Sequence, residues 1–416
     1  MKETPRRLKP LVDEALANFR VVVITGPRQA GKTTLVRRTI RDAGTFARLD
    51  DEATLEAARA DPTGFARFGP TPRAFDEIQR GGDPLIRAIK STVDENRAKG
   101  QFLLNGSADF LTVPTISESL AGRAAFLELW PFTQGELEGG PDGLLEKLFS
   151  EPEEILNQKA SKLTVRDYHE RLCLGGFPEA VTLKDRARRT WYENYIRTVT
   201  QRDIRELTGA RRARQLPNIL ALLAATTAGE LVVSRIHEDS GLGSHSTTDD
   251  YISYLQMVYL VNLLPAWSRN LTKKVARHPK VHIGDSGLAA HILGKSPDAL
   301  ARPTDPARGP LLETFVFNEL LRQASWLEDD IRLYHLRERD GAEIDFVAER
   351  ADGQVVAVEV KTSSSVTAGD TRWLKWLRKK VATDFVSGVV LYTGERPYRL
   401  DDRLYALPIS YLWSTG

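Results

Sequence analysis

The run Val21-Val22-Val23-Ile24-Thr25, continued by Gly26-Pro27-Arg28-Gln29-Ala30-Gly31-Lys32-Thr33-Thr34, sets the reading of the whole chain. Five β-branched residues in succession favour a buried strand. The strand ends in Gly-x-x-x-x-Gly-Lys-Thr, and Leu35-Val36-Arg37-Arg38-Thr39-Ile40 then has the character of a helix. Strand, glycine-bearing loop and helix, in that order, are what a phosphate loop requires. Gly26 and Gly31 can take positive φ, so that successive N–H groups turn inward as an anion nest. Lys32 brings a point charge to the β- and γ-phosphates, the Thr33 hydroxyl is placed to ligate Mg²⁺, and the helix adds its positive end. Residues 26–34 are therefore the expected cradle for ATP.

At 416 residues the chain has room for two to four domains, and 41% hydrophobic residues can fill their cores. A net charge of +2 is too small to imply nucleic acid, so any basic surface must be local. One cysteine, Cys173, leaves neither a disulfide framework nor a cysteine zinc site. No apolar run approaches the ~20 residues of a membrane span. Met1-Lys2-Glu3-Thr4-Pro5-Arg6-Arg7 is basic without an apolar stretch after it, unlike a secretory signal. A cytoplasmic protein with no membrane partner is the expectation.

Outward from the loop, residues 8–19 place Leu8, Leu11, Val12, Ala15 and Leu16 on one helical face. Phe46–Asp50 reads as a strand, and Glu52–Ala60 as a helix stopped near Pro62. Arg73-Ala74-Phe75-Asp76-Glu77 is a short strand ending in two acids, 44 residues beyond Lys32. Asp76 is placed to hold Mg²⁺ through water and Glu77 to polarise the attacking water; a solvated acidic pair is the plainer reading. Residues 84–99 read as an amphipathic helix and 101–107 as a strand. There Asn105 or Ser107 reaches the γ-phosphate or the lytic water, or Asn105-Gly106 simply turns the chain. A helix over 116–120 leads to Arg123 and a strand at Ala125–Leu129. Arg123 is either a finger for a neighbouring subunit's γ-phosphate or a basic residue facing its own helix dipole.

Gly-Pro-Arg-Gln-x-Gly-Lys-Thr-Thr, Phe-Asp-Glu-Ile-Gln, Asn-Gly-Ser and Ser-Leu-Ala-Gly-Arg together resemble the AAA-type ATPases of bacteria and archaea that carry a C-terminal domain of unknown function. The resemblance covers nearly the whole chain. It implies Lys32 and Thr33 on phosphate and Mg²⁺, Asp76 and Glu77 as Walker B, Asn105 as sensor 1 and Arg123 as a trans finger.

Between Pro131 and Lys162 glycine, proline and acidic clusters mark loops around short helices, a boundary or a lid. Gly175-Gly176-Phe177-Pro178 is a tight turn with no assigned chemistry. From Lys184 to Arg214, ten Lys/Arg stand against four Asp/Glu, around an apolar stripe of Trp191, Tyr192, Tyr195 and Ile196. That surface tracks phosphates, or it is a solvated face with pairs to Asp203 and Glu206. Residues 232–258 have helix-turn-helix spacing, with Gly241-Leu242-Gly243 as the turn and Ser244, His245, Ser246 and Thr247 opening the second helix. Residues 259–265 and 280–284 are a candidate wing whose basic tip holds Arg269, Lys273, Lys274, Arg277, His278 and Lys280. Such a winged helix binds DNA by shape and backbone, or serves protein contacts in an oligomer. The seven histidines show no ligand spacing.

Residues 296–310, rich in proline, read as a linker, and Leu311–Ala324 as a helix. Glu313 shares a face with Val316, Phe317 and Leu320, where a carboxylate needs a partner or a metal. Glu343–Val347, a hairpin at Asp352-Gly353 and the strand Val355–Lys361 follow. Period-two alternation gathers Asp345, Glu359 and Lys361, so that two carboxylates can hold Mg²⁺ while Lys361 activates water. This constellation is similar to the PD-(D/E)xK nuclease fold, which implies Glu313, Asp345 and Glu359 as metal ligands and Lys361 as catalytic. A salt-bridged strand pair kept for structure or DNA binding is the competing reading.

The expectation is an α/β chain: a P-loop AAA-type ATPase domain (1–165), a helical and winged-helix domain (166–300) and a PD-(D/E)xK-like domain (301–416). It would be an Mg²⁺-dependent ATPase that binds and remodels DNA, working as a homo-oligomer, with a last domain that binds DNA and cuts it. The alternative is an ATP-driven assembly switch or scaffold whose last domain is an inert binding surface.

Overall fold

Strand β1 (Val21–Thr25) is buried along its whole length, as a strand covered on both faces must be. Around it lie β2 (Thr45–Arg48), β3 (Arg73–Asp76), β4 (Phe102–Asn105) and β5 (Ala124–Glu128). All pair in parallel, in the order β2-β3-β4-β1-β5. The protein, seen here in a computed structural model, is described over residues 4–41, 43–106, 120–204, 215–269, 277–338 and 341–416. The expected helix over 116–120 lies almost wholly outside them, as do Ser107, Lys273, Lys274 and residues 205–214.

The register aligns Ile24 with Asn105 and Asp76 with Asn105. The carboxyl ends of β1, β3 and β4 therefore finish level, which is where open parallel sheets bind ligands. Val21, Val23, Phe75, Phe102 and Leu104 pack with Leu85, Ile86, Ile89 and Val93 of the helix Gly82–Glu95. Pro62 does more than end the preceding helix. It opens another, Pro62–Arg67, whose first turn is capped by the Asp61 side chain accepting from Gly64 N, because proline suits a helix's first position.

The chain falls into two compact units, one running to Pro131 and including Met257–Tyr259, the other holding Phe132–Gln256 and Leu260–Gly416. Residues 166–300 and 301–416, read from sequence as separate domains, thus lie almost entirely in one unit. Its helices include Val165–Leu174, Asp185–Thr198, Leu216–Ala225, Val233–Ser240, His245–Met257 and Arg308–Ala324. Gly241 ends the helix Val233–Ser240 at φ 65°, and Ser244 Oγ accepts from Thr247 N at the start of the next. An antiparallel pair, β6 (Val261–Leu264) and β7 (Lys280–Ile283), follows. The proline-rich stretch 296–310 is more ordered than a linker: it holds a helical turn, Pro297–Leu300, and the first residues of Arg308–Ala324.

A mixed six-stranded sheet completes this unit, in the order β12-β13-β11-β10-β9-β8. Its strands are β8 (Ile331–Arg337), β9 (Glu343–Arg350), β10 (Val355–Lys361), β11 (Phe385–Tyr392), β12 (Tyr398–Asp401) and β13 (Leu404–Pro408). β8, β9 and β10 are antiparallel neighbours, whereas β11 runs parallel to both β10 and β13. The helix Arg372–Val381 packs Leu374, Leu377 and Val381 into the core of this sheet.

Candidate functional site

The loop after β1 has the backbone its glycines were expected to permit. Gly26 sits at φ 135° and Gly31 at φ 98°, the latter capping the helix Lys32–Ile40, and Gln29 also takes φ 62°. At Gly26 a Cβ would stand 2.2 Å from the Leu129 carbonyl oxygen, so the close approach of loop and β5 end excludes any side chain. Pro27 and Ala30 are buried, Arg28 and Thr34 lie toward the surface, and Lys32 is only 5% exposed. The Lys32 Nζ donates to the carbonyls of Gly26 and Pro27, 2.8 Å each, and so lies across the mouth of the loop.

The level strand ends bring a polar cluster beside that ammonium. Thr33 Oγ1 donates to Asp76, 2.9 Å from Oδ2, and Asn105 Nδ2 donates to Asp76 Oδ1 at 2.7 Å. Asp76 and Asn105 are buried, and Asn105 Oδ1 has no hydrogen-bond partner. A hydroxyl and a carboxylate held together beside a lysine form a donor set that fits a hydrated Mg²⁺ on a triphosphate. Glu77 follows at φ 56°, in the left-handed region, where its Oε2 accepts from Gln79 Nε2. A non-glycine residue held there is strained, as residues at functional sites often are.

Arg123 is placed differently. It precedes β5, and its carbonyl accepts from Val21 N, so it sits at the amino-terminal edge of the sheet, a strand's length from the loop of its own chain. Its guanidinium makes a bidentate pair with Asp94, at 2.7 and 2.9 Å. The structure thus gathers Lys32, Thr33, Asp76, Asn105 and Glu77 at one edge and leaves Arg123 at the other.

A second cluster belongs to the other unit. Glu313, Glu343, Asp345, Glu359, Lys361, Asp370 and Trp373 line an open cavity of about 450 Å³. Lys361 Nζ donates to Glu359 Oε1 at 2.7 Å, and Val360 N donates to Asp345 Oδ2 at 2.8 Å. Lys280 on β7, read from sequence as part of the wing's basic tip, is instead buried against these carboxylates. Its side chain is 2% exposed, and its Nζ lies 2.8 Å from Glu313, 3.4 Å from Asp345 and 3.5 Å from Glu343. The signal available was a lone lysine in the strand Lys280–Ile283, every residue of which is buried. Burial opposes its charge most strongly, but Glu313, Asp345 and Glu343 outweigh it and hold the ammonium above its ordinary range.

The same burial, reinforced by Asp345, raises the carboxyl of Glu313 well above the usual range and pushes Glu359 up to about 8. Lys361 is raised too, Glu359 prevailing over burial. The expected metal triad of Glu313, Asp345 and Glu359 lines one cavity. Yet among the described residues no group of three or more His, Cys, Asp or Glu side chains could hold a metal ion. Lys280 Nζ lies against two of the three carboxylates.

Elsewhere in this unit the aromatic residues of the basic helix turn inward. Tyr192 and Tyr195 are buried, and Trp191 stacks on Tyr195 with centroids 5.1 Å apart. Lys184, Arg186, Arg189 and Arg197 stay exposed. Gly175 and Gly176 pass so close to Asp285, Tyr192 and the Phe132 carbonyl that a Cβ would stand 2.2 Å from Asp285 or Phe132, which explains the glycine pair structurally. No helix among the described residues is long and apolar enough to cross a membrane.

The AAA domain model matches residues 18–138, the span that carries the loop, Asp76 and Asn105. The first unit is accordingly that of a P-loop AAA-type ATPase. Two further models, a domain of unknown function (DUF8612) and another (DUF4143), match residues 165–299 and 308–412. The uncharacterized proteins Rv2008c of Mycobacterium tuberculosis and Mb2031c of Mycobacterium bovis are each 31% identical over 410 residues, covering 97% of this chain and 83% of theirs. The chain belongs to the same family as these two mycobacterial proteins. Among solved structures, the Walker-type ATPase of Pyrococcus abyssi aligns with 70% of this chain and 96% of its own at 15% identity, with a TM-score of 0.42.

Proposed function

We propose that this chain is an Mg²⁺-dependent ATP hydrolase that acts on DNA as an oligomer. The observation that carries the reading is the cluster of Lys32, Thr33, Asp76 and Asn105 at the level ends of β1, β3 and β4. Bound Mg²⁺ would supply charge neutralisation of the phosphates. Thr33 and Asp76 would hold it, and Lys32 would exchange its two loop carbonyls for phosphate oxygens. Glu77, next to Asp76, would orient and deprotonate the attacking water. Asn105, with a spare buried carbonyl oxygen, would fix that water's position. Arg123 would leave Asp94 and complete the site of a neighbouring copy.

Support for DNA comes from the exposed Lys184, Arg186, Arg189 and Arg197 along the helix Asp185–Thr198 and its cap, and from the succession of Val233–Ser240, His245–Met257 and the β6–β7 pair, which we read as a winged helix. Exposed Asp249 and Asp250 on the second of these helices make backbone contact through its first turn the better fit. A second reading, an ATP-driven assembly switch with an inert last domain, is favoured by Lys280 buried against the cavity's carboxylates. Turnover measured alone and with duplex, single-stranded and branched DNA separates the two. Stimulation by DNA is the expected result; indifference to every nucleic acid would favour the switch.

A further inference from the structure

We infer that Lys280 is the buried counter-cation of the cavity's carboxylates, and that this cluster works as an ionic clasp where a divalent-metal centre was expected. The inference holds whether or not the chain acts on DNA, because it rests on the cavity alone.

Three elements meet at the ammonium: β7 supplies Lys280, the helix Arg308–Ala324 supplies Glu313, and β9 supplies Glu343 and Asp345. Two further carboxylate oxygens of the cluster are also engaged. Asp345 Oδ2 accepts from Val360 N, and Glu359 Oε1 accepts from Lys361 Nζ. Mg²⁺ needs oxygens converging at about 2.0–2.1 Å. The volume between Glu313 and Asp345 is instead filled by a nitrogen 2.8 and 3.4 Å from their oxygens. A second, doubly charged cation there would meet the like-charged ammonium at close range.

Nor can Lys280 easily step aside. Its strand is buried at all four residues, Lys280 pairs with Leu264 across the hairpin, and it bridges Glu230 on its other edge. The hairpin is itself held to β8, where Trp267 N donates to His335 O at 2.6 Å and His335 N to Pro265 O at 3.0 Å. Withdrawing the ammonium would leave Glu313 and Asp345 without their cation in a buried setting. The clasp therefore fixes the β6–β7 hairpin to the last sheet, and the carboxylates expected for metal chemistry are committed to that task.

The test is Mn²⁺ binding by the full chain without nucleotide, followed by electron paramagnetic resonance for the wild type, Asp345→Asn, Lys280→Met and the Lys280→Met/Asp345→Asn double variant. The wild type and Asp345→Asn should bind Mn²⁺ alike. Lys280→Met should gain a site at least about tenfold tighter, as expected when a like charge ~3 Å away is removed, and the double variant should lose it. Mn²⁺ binding by the wild type that Asp345→Asn removes would overturn the inference, as would a folded Lys280→Met chain that gains none. If Lys280→Met fails to fold, Mn²⁺ soaked into wild-type crystals decides. Anomalous scattering from the cavity would refute the clasp, and a cavity without it would uphold it.

Discussion

Lys32 donates to two carbonyls of its own loop, so the ammonium is held ready with its hydrogen bonds satisfied. Replacing it by alanine should abolish ATP binding, read by nucleotide-induced thermal shift. Glu77→Gln should leave binding intact but lower turnover by about 10²–10⁴-fold, the usual weight of a general base; retained turnover would count heavily against the proposed role. Glu319 offers a test of another kind. Buried on the helix Arg308–Ala324, it accepts from Gln134 N at 3.1 Å and faces Arg322. Burial pushes its carboxyl up to about 8; Arg322 opposes this, and Asp142 and Glu136 add to it. The folded chain thus keeps a proton that the unfolded chain releases near its ordinary value of 4.5. The resulting stability is full below that value and declines as pH rises toward about 8, by at most about 1.4 kcal/mol per pH unit. Glu319→Gln should flatten that slope in urea unfolding measured between pH 5 and 8.

Elements, in turn, were legible where their period was regular. The strand Val21–Thr25 and the helix Glu52–Ala60 stand where the sequence places them, because an all-apolar run and a capped helix each carry a local signal. β8 went unread. Its apolar residues Ile331, Leu333, Tyr334 and Leu336 break the alternation at a register shift between Tyr334 and Leu336, and such a bulge moves the period by one residue. The β6–β7 hairpin was legible as a pair, but its docking through Lys280 was not. Removing one partner from a buried ion pair costs roughly 3–5 kcal/mol. Lys280→Met should therefore lower the unfolding free energy by an amount of that order, measured in denaturant.

At the scale of the whole molecule, Arg123 lies across the sheet from the loop of its own chain. If it acts on a neighbour, Arg123→Ala should cost about 10³-fold in turnover, as a finger does. A mixture of Arg123→Ala and Lys32→Ala chains should then recover activity that neither has alone. Its absence in a confirmed mixed oligomer would place Arg123 with Asp94 as a structural pair.

The residues themselves determined the phosphate loop, since it is local: nine consecutive positions fix its backbone, its lysine and its hydroxyl. Even Asp76 and Asn105 could be placed, because each ends a short apolar strand and parallel strands of similar length finish together. The sequence also posed the right question at Glu313, a carboxylate on an apolar face that needs a partner. Only the tertiary structure answered it. Lys280 is 33 residues away in a different element, and no period or spacing connects a strand lysine to a helix acid. Which cation meets a buried carboxylate is decided by what packs against it.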